Sequence, residues 1–215
     1  MERGVIIDLH VHEELYSPCA SMSLEDAVES ARYHGLGGIC ITDHGSMEIY
    51  RDAAAYLREV DFSVFIGVEV STMHGDIIAL GLRSLPALKP FYRIPAQDFI
   101  DHVNTQGGFC FAAHPFRNVR DAGRFLDSMQ GLHGIEIYNG ANNPESNARA
   151  KHACQRQGLV PVAGSDAHMV HELGTYAMWF PEPIADTPAL VTALKAGKGR
   201  PVEREGKREY TFLGI

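Results

Sequence analysis

Several kinds of signal are missing from this 215-residue chain, and each absence narrows what it can do. No stretch approaches the roughly 20 apolar residues needed to span a bilayer. The apolar run near the N-terminus is short and contains an aspartate, unlike a secretory signal. The four cysteines, Cys19, Cys40, Cys110 and Cys154, include no CxxC pair. Cys40 and Cys110 lie in apolar runs and Cys154 in a helical segment, so these three read as small buried hydrophobes rather than a disulfide framework. A cytoplasmic protein with no membrane partner is the expectation.

A basic excess is also absent. Lys and Arg number 19 against 27 Asp and Glu, giving a formal net charge of −8. That argues against an extended nucleic-acid footprint, but not against a small phosphorylated substrate, because bound cations would change the local charge. There is no Gly-rich phosphate loop, no Gly-x-Ser-x-Gly elbow and no dinucleotide fingerprint. No linker, low-complexity block or repeat divides the chain, so residues 1–215 are expected to form a single domain. Nothing in the sequence fixes an oligomeric state.

What is present is an alternation of short apolar runs with helical patterns. Strands are expected at 4–9, Gly37–Thr42, Val64–Val70, Asp76–Leu82, Phe109–Ala113, Gly134–Tyr138, Leu159–Ala163 and Thr175–Phe180, with an extended tail at Tyr210–Leu213. Helices are expected from Ser23 to Gly35 and at Met47–Val60, Ala96–Thr105, Asp121–Met129, Glu145–Gln157 and Thr187–Ala196, with a Pro-rich loop at Arg83–Pro95. The third and fourth expected strands, on either side of the loop after Glu69, are close enough to form a hairpin. The overall alternation otherwise predicts about seven right-handed βα units on a parallel sheet, an α/β fold.

The chemistry concentrates where strands end. Asp8-Leu9-His10-Val11-His12 closes the first apolar run, and residues two apart on a strand point the same way, so His10 and His12 project together. Paired imidazoles suit a divalent metal such as zinc, manganese or iron. The pattern recurs at Thr42-Asp43-His44, Gly67-Val68-Glu69, Ala113-His114-Pro115 and Ser165-Asp166-Ala167-His168, where Asp166 and His168 repeat the spacing of two. The ends of parallel strands are where α/β proteins build their sites.

The ordered set DLHVH, ITDHG, GVEVS, AHP and GSDAH resembles the polymerase-and-histidinol-phosphatase (PHP) family of metal-dependent phosphoesterases, over Asp8 to His168. The resemblance implies a distorted (β/α)7 barrel whose C-terminal face holds two to three divalent ions. It implies that His10, His12, Glu69 and Asp166 hold the first ion. Glu69 would bridge to a second ion that His114 also ligates, and His44 and His168 would hold the remaining one. The implied nucleophile is a metal-bound hydroxide held by His10, His12, Glu69 and Asp166, attacking a phosphate ester of a small metabolite or nucleotide.

The chain departs from that pattern twice. Relatives place another His or Asp shortly after the first motif, where this loop reads Glu13-Glu14-Leu15-Tyr16-Ser17-Pro18-Cys19. Glu13, Glu14 and Cys19 are within reach, but a solvated loop is the plainer reading. Gly75-Asp76 also stands where relatives carry Gly-His, so Asp76 is a candidate ligand, with His74 on the same face as the other possibility.

Arg117, three residues after His114, is expected to contact substrate, with a guanidinium suited to bidentate clasp of a phosphate. Asp8 and Asp43 either orient imidazoles or make ordinary turn hydrogen bonds. Glu136, an acid amid apolar neighbours, should have a partner near the site. His34, His102, His133, His152 and His171 read as surface or capping residues. Specificity is expected in the loops Met73–Gly75, Arg83–Pro95 and Asn139–Asn143.

Two other readings remain open: a non-catalytic PHP-like structural or regulatory module with a partly lost site, and a metal amidohydrolase. The latter would want a lysine ligand on a later strand, and no lysine lies between Lys89 and Lys151.

Overall fold

The computed structural model describes residues 4–87, 93–118 and 121–215. The strands among them are β1 (Val5–Val11), β2 (Gly38–Ile41), β3 (Ser63–Thr72), β4 (Gly75–Leu80) and β5 (Phe109–Ala112), then β6 (Gly134–Asn139), β7 (Val160–Gly164), β8 (Tyr176–Phe180), β9 (Arg200–Arg204) and β10 (Tyr210–Phe212). They form one sheet in the order β10-β9-β8-β1-β2-β3-β4-β5-β6-β7.

That sheet is mixed and curled, so the α/β class stands, but the expected parallel sheet of about seven βα units, a distorted (β/α)7 barrel, is corrected. Two parallel runs, β1-β2-β3 and β5-β6-β7, are joined through β4, which is antiparallel to both β3 and β5. The turn Met73-His74 between β3 and β4 is far too short for a parallel crossover, so a hairpin is the only connection the chain permits. Strands β8, β9 and β10 extend the other side, each antiparallel to its neighbour. Between β5 and β6, where a helix Asp121–Met129 is expected, the chain makes two short 3-10 turns, Ala122–Arg124 and Leu126–Ser128.

The sheet curls until its far end meets β1. The backbone N–H of Asp166 donates to the His10 carbonyl at 2.8 Å, and that of His12 to the Ala167 carbonyl at 3.0 Å. The segment after β7 therefore docks on the C-terminal end of β1, and a register irregularity between Asp8 and Val11 marks the junction. Bulges of this kind re-aim side chains beside functional sites.

Among the described residues the sheet is accompanied by six helices: α1 (Leu24–Tyr33), α2 (Ile49–Asp52), α3 (Ala54–Glu59), α4 (Ala96–Thr105), α5 (Pro144–Gln157) and α6 (Thr187–Lys195). α1 starts at a capping box: the Ser23 hydroxyl accepts from the Asp26 N–H, and the Asp26 carboxylate accepts from the Ser23 N–H. In α5, Asn143 caps the first turn, Pro144 sits where no N–H is needed, and Gly158 ends the helix at φ 64°. The helix expected at Met47–Val60 is broken at Ala53 into α2 and α3.

One buried apolar group draws on β1, β2, β3, β4, β5, β7, β8 and α6, including Ile7, Leu9, Phe65, Ile78, Phe111, Met178 and Leu190. Strands from both ends of the sheet meet there, so it fills the concave side. Val68, Val70, Ile135 and Ile137 pack instead with α4 and α5. Strand alternation then turns Glu69 and Glu136 to the opposite face, toward the concave interior. Cys40, Cys110 and Cys154 are buried free thiols, and Cys19 is exposed. No helix among the described residues is long and apolar enough to cross a membrane. Part of the expected loop Arg83–Pro95, residues 88–92, lies outside the described residues.

Candidate metal centre

Four overlapping groups of side chains collect at the strand ends, each with ligand-type atoms within 4.8 Å of one another. They are His10, His12 and Glu69; His10, His114 and Asp166; Glu69, Asp76 and His114; and His12, His44 and His168. All eight residues singled out in the sequence as ligand candidates are therefore brought together, and Asp76 rather than His74 joins them. His74 turns away: its Nδ1 accepts the Ala96 N–H at the start of α4 at 3.3 Å, and its ring packs edge-on against Phe125.

His10 and His12 do project together, with their Nε2 atoms 3.0 Å apart. Both nitrogens also lie 3.2 Å from Asp166 Oδ1. The Glu69 carboxylate is shared, with Oε1 at 3.1 Å from His114 Nε2 and Oε2 at 3.1 Å from His44 Nδ1. Among the described residues, His114 and Asp166 are the non-glycine residues with positive φ, 29° and 56°. Such backbone costs of order 1–3 kcal/mol and persists where surrounding contacts over-determine it.

Access is one-sided. His10, His12, Glu69, His114 and Asp166 are buried, whereas the side chains of His44 and His168 are 42% and 27% exposed.

Proton affinities follow from this crowding. Burial alone would lower the pKa of His10, but the carboxylates of Asp166, Glu136 and Glu69 overcome it and raise it well above the usual value. His12 goes the other way, lowered by burial to about 4. Burial would raise Glu69, yet His10 and its other imidazole partners hold it well below the carboxylate range. Asp166 is likewise held down against burial by His10, His12, His114 and Arg117. Burial would lower His114, and Glu69 raises it.

The supporting contacts were only partly foreseeable. Glu136 is fully buried and is not among the clustered ligand atoms. Asp8 accepts backbone N–H bonds from Ser165, Gly174 and His10, so it fastens the β1–β7 junction and touches no imidazole. Asp43 acts through an intermediary. It accepts the Ser17 hydroxyl at 2.7 Å, and Ser17 Oγ lies 3.2 Å from His12 Nδ1. Ser17, which sequence reasoning missed, is the member of the first loop that reaches the site. The Glu13 carboxylate accepts the N–H groups of Leu15 and Tyr16, and Glu13 is buried, not solvated. His34 is the C-cap of α1, the capping role among those expected of it, and is buried with its Nδ1 against Arg204 at 3.1 Å.

Arg117 does face the cluster, but its fork is largely taken. Nη2 donates to Asp166 Oδ2 at 2.5 Å and to Asn139 Oδ1 at 2.6 Å, and Nε donates to Asn142 Oδ1 at 2.9 Å. Among the described residues, only the Nη1 pair of its five N–H donors has no partner. A bidentate clasp through two nitrogens is therefore closed to it in this arrangement.

Gly164 gives His10 its space. A Cβ added there would sit 2.5 Å from His10 Cβ and 3.1 Å from Glu136 Oε1. Gly164→Ala is expected to cost about 1–3 kcal/mol by overpacking and to push the His10 ring out of register. Thermal melts with and without added manganese test this, since the variant should lose the metal-induced increment along with stability. An unchanged increment would show that the cluster tolerates the shift.

Fold and site together define a mixed α/β domain that gathers histidines and carboxylates at the strand ends of a curled sheet. Comparison with known proteins narrows this class. Residues 144–198, from α5 through α6, match the family described as PHP_C, PHP-associated. Uncharacterized protein MJ1587 of Methanocaldococcus jannaschii is 30% identical over 146 residues, covering 61% of this chain and 80% of that protein. The chain belongs to the PHP family.

Among solved structures, a Bifidobacterium adolescentis protein provisionally designated a metal-dependent phosphoesterase superposes with a TM-score of 0.63 at 19% identity, over 78% of this chain and 89% of its own. The lesion-specific endonuclease EndoQ of Pyrococcus furiosus superposes with a TM-score of 0.68 at 16% identity, over 98% of this chain. The chain spans only 58% of that endonuclease.

Proposed function

We propose that this chain is a metal-dependent phosphoesterase that hydrolyses an ester of a small phosphorylated substrate, and that residues 1–215 act as one such unit. The observation that carries this reading is the sharing of Glu69: it belongs to two groups, and its two carboxylate oxygens face different imidazoles, so it can bridge adjacent ions. The donor set fits cations. Two imidazole Nε2 atoms 3.0 Å apart, both facing Asp166 Oδ1, have room for at most one proton between them, and a cation satisfies the remaining lone pairs. His114 Nδ1 is also buried without a partner among the described residues.

His10, His12, Glu69 and Asp166 would hold one ion, Glu69, Asp76 and His114 a second, and His44 and His168 a third. Zinc, manganese and iron all suit this histidine–carboxylate chemistry. Divalent ions there supply a hydroxide nucleophile near neutral pH and compensate charge developing on the phosphoryl group. Arg117 offers its Nη1 donors at the mouth, and its tie to Asp166 keeps that carboxylate facing the two imidazoles. The exposed edges of His44 and His168 define the approach. A net charge of −8 favours a small substrate over a polyanion.

The test is hydrolysis of aryl phosphate monoesters and diesters, and of a short oligonucleotide, with manganese or zinc, beside chelated and His10→Ala protein. Turnover of an aryl ester that both treatments remove is the expected result. Metal uptake without turnover of any ester would instead establish a non-catalytic module, and cleavage of the oligonucleotide alone would overturn the small-substrate assignment.

A further inference from the structure

We infer that Glu136 is a positioning residue that sets ligands on both sides of Glu69: it fixes the tautomer of His10 and the strained backbone of His114. This rests on the metal reading of the site. Glu136 is fully buried on β6, and each carboxylate oxygen has a separate task. Oε1 lies 2.9 Å from His10 Nδ1, which places the Nδ1 proton on that bond and leaves the Nε2 lone pair facing His12 and Asp166. Oε2 accepts the backbone N–H of His114 at 2.8 Å and the side-chain amide of Asn139 at 2.9 Å.

The bond to the His114 N–H helps hold that residue at φ 29°, the conformation that brings its Nε2 to Glu69 Oε1. Asn139 carries the chain of contacts onward to Asp166 Oδ2, 3.3 Å away, and to Arg117. A histidine ligand commonly donates its second N–H to a carboxylate, which orients the ring and raises its basicity. Here one carboxylate does this for His10 and also braces the backbone of a second ligand candidate.

The arithmetic of donors makes the inference specific. Glu136 meets three donors with two oxygens, and a glutamine at this position has one oxygen and one NH2 group. The His114 N–H cannot change its character, so the glutamine oxygen must face it, sharing it with Asn139. The NH2 group then faces His10 Nδ1, which must become an acceptor. The His10 proton moves to Nε2, and the lone pair that faces the cluster is lost. Glu136→Gln thus preserves shape while inverting one imidazole, and Glu136→Ala removes both supports.

The experiment is a cobalt(II) titration followed by visible absorption on wild type, Glu136→Gln and Glu136→Ala, with circular dichroism to check folding. In Glu136→Gln, affinity at the site containing His10 should fall about 10–100-fold, while the site of Glu69, Asp76 and His114 keeps its own. Glu136→Ala should weaken both. Identical stoichiometry and affinity in wild type and Glu136→Gln would overturn the assignment.

A second readout needs no variant. In zinc-loaded wild type, long-range proton–nitrogen correlation spectra should show His10 protonated at Nδ1. Protonation at Nε2 would overturn the assignment even if the variants fail to fold. A wild-type protein that takes up neither metal overturns the metal reading itself, and this assignment with it.

Discussion

Glu69→Ala should lower turnover of an aryl phosphate by the metal-loaded protein at least about a thousandfold, or about 4 kcal/mol of transition-state stabilisation. The size follows from position. Glu69 approaches His44 and His114 at 3.1 Å, His12 at 3.4 Å and His10 at 3.6 Å, and belongs to two of the four ligand groups. Its loss removes a donor from two ion sites at once and leaves buried imidazoles without their shared countercharge. Arg117→Ala should cost less: it frees Asp166 Oδ2 and removes the Nη1 donors offered to substrate, raising KM and weakening metal uptake, but leaves every proposed ligand in the chain. Steady-state kinetics with metal analysis on both variants checks the contrast. Glu69→Ala within tenfold of wild type would remove that carboxylate from the proposed chemistry.

The clustering of the candidate ligands was legible because its signals are local. His10 and His12 sit two apart on a strand, Asp166 and His168 repeat the spacing at a strand end, and α1 announces itself through Ser23 and Asp26. Strand direction was not legible, since the nearly continuous burial of β4 looks the same whether the strand runs parallel or antiparallel to its neighbour. Strand β9 was hidden by Pro201 and its charged neighbours, which argue against a strand until β8 and β10 pair on either side of it.

The expected helix at Asp121–Met129 fails at Gly123, where the chain packs so closely on Phe116 and the Pro115 carbonyl that a side chain would not fit. The roles of Glu136 and Ser17 were beyond local pattern for a different reason. Glu136 reaches His10 across 126 residues of sequence, a pairing set by the register of the closed curl. Ser17 was overlooked because acids and a cysteine surround it, and its short hydroxyl matters only once Asp43 stands behind it.

Metal removal should make stability depend on pH in a way the ion-loaded protein does not share. In the metal-free protein, His10 has its pKa raised above the unfolded value near 6.5, so its contribution is complete below that pH and is lost as pH rises through the folded value. His12 is lowered to about 4, so between pH 6.5 and 4 the unfolded chain takes up a proton that the fold refuses, and stability falls as pH falls. That term amounts to about 3 kcal/mol across the interval. Glu69 and Asp166, both held below the ordinary carboxylate range, add to the loss as pH falls below their unfolded values of 4.5 and 3.8. Asp8 and Asp43, raised by burial to about 6 and about 7, oppose those acid-side losses, because their stability is lost as pH rises from 3.8 through those values. The chelated protein should therefore weaken chiefly as pH rises above 6.5.

Ion binding requires neutral imidazoles, so the His10 proton must leave, and affinity should rise about tenfold per pH unit for each proton released, up to the folded value. Metal then restores stability on the alkaline side, where the free protein has lost it. Denaturant titrations from pH 5 to 9, with chelator and with manganese, read the first effect; calorimetry in two buffers of different ionisation enthalpy counts the protons. A flat profile for the chelated protein, with no proton release on binding, would mean that His10 is already neutral and that the three carboxylates around it do not hold a charge there.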